Sequence, residues 1–318
     1  MTDRPLAGIR VVVTRARAQA AALVEALHAV GAEAVPIPVI EILDPPDRGA
    51  ALEAGLAGLE AGDWLVLTSP NGATRVGRLL VDRPLPAGVR VAAVGPGTRV
   101  RAEAAGLTVD LVPDSSVAEG LLDFLPGPGA GGGTMLLARA ETARSVLPDG
   151  LRARGWRVLD VPAYRTVGVD VAPEAVDRCR TADIVAFTSS STVDHLVDRV
   201  GEDNLPSVLA SIGPATSATI RARGLTVGVE APDHTIPGLV DALVGAIDDV
   251  VLLRVEPAGA PESQWMLEQY LGEIDERFET GLDRAAVQSA EIEEISPPRG
   301  LFLAARLGGA PVGCGVLG

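Results

Sequence analysis

Short apolar runs alternate with longer stretches of helical period along most of the chain. Ile9–Val13, Asp63–Leu67, Val89–Val94, Thr134–Ala138, Asp183–Phe187 and Val208–Ile212 are dominated by Val, Leu, Ile and Ala. Continuous apolar character, without strict alternation, predicts strands of parallel sheets covered on both faces. Ala18–Val30 carries a helical period and stops at Gly31, a residue suited to the left-handed turn after a helix. The strand–helix alternation predicts an α/β protein with two doubly wound, flavodoxin-like parallel-sheet domains.

The pattern also repeats at the level of residues. Gly62-Asp63-Trp64-Leu65-Val66-Leu67-Thr68-Ser69 returns as Ala182-Asp183-Ile184-Val185-Ala186-Phe187-Thr188-Ser189, and Val94-Gly95-Pro96-Gly97-Thr98 as Ile212-Gly213-Pro214-Ala215-Thr216. Each of the latter is followed by a helical stretch and an extended segment, Ala105–Val109 and Arg223–Val227. Val13-Thr14-Arg15-Ala16 matches Leu137-Ala138-Arg139-Ala140; Gly31 and Gly155, and Pro38 and Pro162, keep the same spacing. Landmarks in one order at nearly constant offset indicate a tandem duplication. Pro36–Ile40 and Val161–Thr166 are extended, proline-bearing and repeat-equivalent, which reads as a pair of linkers. Gly127–Gly133 reads as a flexible surface connector.

Composition narrows the chemistry. All 27 basic side chains are arginines, so a Schiff-base or P-loop lysine is excluded. The net charge of −15 argues against a nucleic-acid partner, and 3% aromatic residues leave little for base stacking. Residues 248–318 hold 13 acids and 5 arginines, more than half of that excess, which marks a composition boundary near 248. Cys179 and Cys314 have neither metal nor redox spacing and read as ordinary thiols of a reducing compartment. No signal peptide and no apolar run of about 18 residues is present, so a soluble, cytoplasmic protein with no membrane partner is expected.

In doubly wound sheets, ligands sit beyond the carboxyl ends of the strands. Thr68-Ser69-Pro70, Thr188-Ser189-Ser190, Gly95-Pro96-Gly97-Thr98 and Gly213-Pro214-Ala215-Thr216 all end a strand and open a helix. Helix N-termini bind anions, so several of them facing one cleft would hold a polyanion without lysine. Ordinary capping accounts equally well for any one motif taken singly. Arg15 and Arg139 follow strands at equivalent positions and could clamp carboxylates or form surface ion pairs. His28, His195 and His234 are isolated from triad or metal partners. Tyr164, on the second linker, is the sole tyrosine before residue 248 and suits either packing or function.

Val12-Val13-Thr14-Arg15, the Asp-x-x-x-x-Thr-Ser strand ends, the two Gly-Pro-x-Thr turns and Tyr164-Arg165-Thr166 together resemble uroporphyrinogen-III synthase over residues 6–247. The resemblance implies one lobe from residues 1–36 and 168–247, a second from 42–160, and a two-stranded linker at 37–41 and 161–167. It implies a hydro-lyase that converts hydroxymethylbilane, with its eight carboxylates, to uroporphyrinogen III. Water is lost and the last pyrrole is inverted through a spiro intermediate. It further implies that Tyr164 assists departure of the hydroxyl, that Ser69, Thr98, Ser189 and Thr216 line the cleft, and that neither cofactor nor metal is used. Gly95, Ser190, Gly213, Arg15 and Arg139 complete the candidate substrate contacts. A monomer is expected, with hand-over of substrate from hydroxymethylbilane synthase.

Residues 248–318 resemble the opening half of a GNAT-type N-acetyltransferase, a partial α+β segment of first strand, two helices and hairpin. The glycine-rich loop that would hold the cofactor pyrophosphate does not follow before Gly318, so no acetyl transfer is expected. Competing readings are a non-catalytic bilobal sensor and a bifunctional synthase/acetyltransferase whose second half is missing.

Overall fold

The computed structural model describes residues 4–114, 118–129, 132–277, 292 and 294–317. Two compact units emerge: Met1–Val39 with Asp170–Pro232 and Ile236–Gly318, and Ile40–Val169 with Asp233–Thr235.

The first unit opens with β1 (Arg10–Val13), α1 (Ala21–Ala29) and β2 (Glu33–Pro36). Gly31 takes φ +91° after α1, the left-handed turn that its lack of Cβ permits. The second unit follows with β3 (Ile40–Leu43), α2 (Ala50–Ala57), β4 (Trp64–Leu67), α3 (Pro70–Leu79), β5 (Arg90–Ala93) and α4 (Pro96–Ala104). It continues through α5 (Ala118–Phe124), β6 (Thr134–Ala140), α6 (Val146–Ala153) and β7 (Arg157–Gly168). The chain then re-enters the first unit with α7 (Pro173–Arg180), β8 (Ile184–Phe187), α8 (Ser190–Val200), β9 (Val208–Ser211), α9 (Pro214–Ala222), β10 (Val229–Glu230) and α10 (Ile236–Ala246).

The first unit's sheet runs β2-β1-β8-β9-β10, all parallel. Numbered along the duplicated unit this is 2-1-3-4-5, the order of flavodoxin-type sheets. The second unit repeats it as β7-β6-β4-β5, with Leu111 bridging in parallel to Ala92 in the fifth place and β3 added antiparallel outside β7. Each sheet therefore takes strands from both sequence repeats. The extended segments expected at Ala105–Val109 and Arg223–Val227 pair later than their apolar character suggested, as a single bridge at Leu111 and as β10.

Alternation along the strands buries both faces. In the second unit Leu65, Leu67, Leu136 and Ala138 pack with Leu52, Leu56, Ala73, Val76 and Ala102. Their neighbours Trp64, Val66, Met135 and Leu137 pack with Leu121, Leu147 and Leu151. In the first unit Val11, Val13, Ile184 and Ala186 meet Leu23, Leu27, Leu239 and Leu243. The repeated aspartates have a structural task. Asp63 accepts the N–H groups of Glu60 and Thr134, and Asp183 that of Arg10, so each holds the start of a neighbouring strand.

Residues 161–167 lie within twelve-residue β7, which pairs with β6 over Arg157–Tyr164 and with β3 over Arg165–Gly168. Past the composition break at 248 the chain clusters with the first unit. Here β11 (Val251–Glu256), α11 (Pro261–Arg277), β12 (Leu301–Leu307) and β13 (Ala310–Leu317) build an antiparallel β11-β12-β13 sheet. Leu252 joins the core of the first unit, and Leu253 N–H donates to Ser207 Oγ at 3.2 Å. Most of the second helix expected in this segment would fall on residues 278–291, outside the described residues, as do Ala130 and Gly131 of the glycine-rich run. Gly129 and Gly132, which flank those two, form an antiparallel bridge.

Candidate active site

In the second unit the candidate residues gather at the carboxyl ends of β4 to β7. Ser69 caps α3, its Oγ accepting the N–H of Gly72 at 3.1 Å, with Pro70 in the first turn where no N–H is needed. That first turn lies hard against β6. A Cβ on Gly72 would stand 2.5 Å from the carbonyl oxygen of Ala138.

Tyr164 reaches this cap because of an irregularity in β7. Arg139 pairs with Pro162 and Ala140 with Tyr164, so one extra residue, Ala163, is accommodated between them. A bulge lets two consecutive side chains face one side, and Ala163 and Tyr164 both enter the same core. Tyr164 is 7% exposed and its phenol donates to Ser69 Oγ at 3.0 Å. Burial raises its pKa above 10, while the bonds to Ser69 and Asn71 pull it down. At neutral pH the group is a protonated phenol, able to give a proton or a hydrogen bond.

Arg139 forms an ion pair, one of the two roles its position allowed. Its Nε and Nη2 each lie 2.5 Å from the Asp160 carboxylate, and Nη1 donates to the carbonyl of Arg144. Arg139 is 8% exposed and its charge is met by Asp160, which ties β6 to β7. Gly95 caps α4 with Pro96 following, and Thr98 in that turn is buried. An open depression of about 320 Å³ at the opposite ends of α3 and α4, lined by Gly77, Arg78 and Arg101, shares no residue with this set.

The first unit places its candidates at the same end of its own sheet. Arg15 follows β1 and is half-buried. Ser189 occupies the cap of α8, but its Oγ lies 3.1 Å from Ser191 Oγ and 3.4 Å from Thr192 Oγ1 instead of accepting a helix N–H. Ser190 Oγ donates to the carbonyl of Ala215 at 3.1 Å, tying the first turn of α8 to that of α9. Gly213 caps α9, and Thr216 is buried. Ser211 and Ser217, which motif reasoning passed over, form a buried hydroxyl pair behind this turn. Gly72 was also missed: the Asn-Gly dipeptide was a visible turn signal, but its close approach to Ala138 crosses 66 residues. Among the described residues no His, Cys, Asp and Glu cluster could hold a metal, and no helix is long and apolar enough to cross a membrane.

Residues 21–241 match the family model described as uroporphyrinogen-III synthase HemD. The chain belongs to the uroporphyrinogen-III synthase family. It is 32% identical over 260 residues to the uroporphyrinogen-III synthase of Synechococcus elongatus, covering 76% of this chain and 97% of that one. The chloroplastic uroporphyrinogen-III synthase of Oryza sativa subsp. japonica is 28% identical over 248 residues, covering 74% and 80%. Among solved structures, a mutant uroporphyrinogen III synthase from Thermus thermophilus shares the fold with a TM-score of 0.55 at 19% identity, covering 76% of this chain and all of that one. Members of this family are lyases of porphyrin biosynthesis, and the matched stretch stops short of β11.

Proposed function

We propose that this chain closes hydroxymethylbilane to uroporphyrinogen III, with Tyr164 assisting loss of the terminal hydroxyl. The observation that carries the reading is a buried, neutral phenol held on Ser69 at the carboxyl end of a doubly wound sheet, in a chain of this family. The chemistry asks for little more. The leaving oxygen takes the phenolic proton and departs as water with the C–O electron pair, leaving a cationic methylene on the first ring. The last pyrrole attacks through its substituted carbon, the spiro intermediate reopens and recloses inverted, and the proton lost on regaining aromaticity returns to the phenolate. Orientation is the larger part of such a barrier. The helix N-termini behind Ser69, Gly95, Ser189 and Gly213 suit the substrate's carboxylates without lysine.

The β11–α11–β12–β13 segment is read as GNAT-like; a strand, a helix and a hairpin in that order support the likeness. The test of the main reading is the product isomer. Purified chain supplied with enzymatically generated hydroxymethylbilane should yield the type III product, separated from type I by chromatography. Type I alone would leave only a binding function.

A further inference from the structure

Among the described residues of the second unit, three arginines are not exposed: Arg75, Arg139 and Arg165. Arg75 is paired with Asp44, and Arg139 with Asp160. Arg165 has no such partner. Its Nε is sheltered from water and makes no hydrogen bond, and no carboxylate among the described residues pairs with its guanidinium. A guanidinium cannot shed its charge, and sheltering it unpaired costs stability. Nor does the fold demand a cation at this place. The repeat equivalent, at the spacing that matches Pro38 to Pro162, is the exposed Glu41.

The place of Arg165 on the sheet gives the charge a use. β6 ends opposite Tyr164, so Arg165 stands one residue past the carboxyl end of that strand, where β7 is paired with β3. Ligands of doubly wound sheets gather at this rim. Thr166 pairs with Ile42 on the core side that holds Tyr164, so alternation turns Arg165 and Leu43 to the other face. We propose that Arg165 is a binding residue whose guanidinium holds one side-arm carboxylate of the tetrapyrrole, across β7 from the phenol. This rests on the proposed reaction, which supplies a ligand with eight carboxylates. A carboxylate accepts two guanidinium N–H groups side by side, a fork that an ammonium does not offer. Set across the strand from the proton donor, the contact is the same before and during loss of water. It therefore strengthens binding and leaves the chemical step alone.

Uroporphyrin III, a stable octacarboxylate, serves as the equilibrium probe for the full-length protein, its binding followed by the change in its fluorescence. Arg165→Met keeps an unbranched apolar stem and drops the charge. It should weaken uroporphyrin III binding and raise KM for hydroxymethylbilane, each about ten- to a hundredfold, with kcat changed by less than about threefold. Arg165→Lys should recover part of the loss. Because the charge is unpaired in the free protein, the urea midpoint of Arg165→Met should equal or exceed that of the wild type, whereas a structural arginine would lower it. Unchanged affinity and KM in Arg165→Met, with or without a lowered midpoint, overturn the proposal. Type III product from the wild type beside binding that ignores Arg165 overturns this role alone. Type I product alone, beside binding that still needs Arg165, overturns the reaction and leaves the carboxylate site standing.

Discussion

Arg254 sets Nε and Nη2 on the carboxylate of Asp183 at 2.5 and 2.9 Å, and Asp183 has no exposed surface. The same Nη2 also donates to the carbonyl of Gly8. In the other repeat, Asp63 is satisfied by backbone N–H groups alone. The strand after α10 therefore supplies a cation to an aspartate of the core sheet. Removing that cation leaves a buried charge with one backbone donor, Arg10 N–H, so Arg254→Ala should cost about 2–4 kcal/mol. Urea denaturation of the two forms checks this; an unshifted midpoint would show the pair to be ornamental.

Tyr164→Phe should lower turnover by roughly ten- to a thousandfold with KM nearly constant, since only the donated proton is lost. Steady-state rates on freshly made hydroxymethylbilane give the split between the two constants. Loss confined to KM would reassign the hydroxyl to binding.

The same residue should shape alkaline stability. Its phenol has a higher pKa folded than unfolded. The unfolded chain thus releases this proton first as pH rises past about 10. The contribution is whole below that value and erodes as pH climbs through the folded one. Comparing denaturation midpoints on either side of pH ~10, the wild type should lose more stability than Tyr164→Phe.

Thiol reactivity should separate the two cysteines. Cys179 is fully buried and its pKa is pushed up to about 12, whereas Cys314 is partly accessible with a smaller rise. Thiolate is the reactive form, so at about pH 8 an alkylating reagent should mark Cys314 slowly and Cys179 only after unfolding. Mass spectrometry of digests reads this; early labelling of Cys179 would contradict its burial.

Arg139 should behave as a brace. Replacement by Ala strands the Asp160 carboxylate and should cost about 1–3 kcal/mol, while KM for the substrate shifts less than about threefold. A large rise in KM at unchanged stability would restore it as a substrate clamp.

Much of this was legible along the chain. The strands at β1, β4, β5, β6, β8 and β9 stand within a residue or two of the apolar runs that announced them, and Gly31, Pro70, Pro96 and Pro214 punctuate the helices they were expected to punctuate. These features depend on local chemistry: side-chain period, fixed φ at proline, and the freedom of glycine. The duplication was equally plain, because it is written as residues repeated in one order at nearly constant spacing.

Contacts between distant residues were not legible. Arg15 and Arg139 look equivalent in the sequence, yet Arg139 is occupied by Asp160, a neighbour across strands 21 residues on. Ser69 and Ser189 look equivalent, yet one caps a helix and accepts a phenol while the other joins a knot of hydroxyls. The acidic stretch after residue 247 reads as a separate piece, yet Leu252 and Arg254 enter the first unit. Local propensity selects elements one at a time. Partners of buried polar groups are chosen by register, bulges and close approach, which exist only once the strands lie side by side.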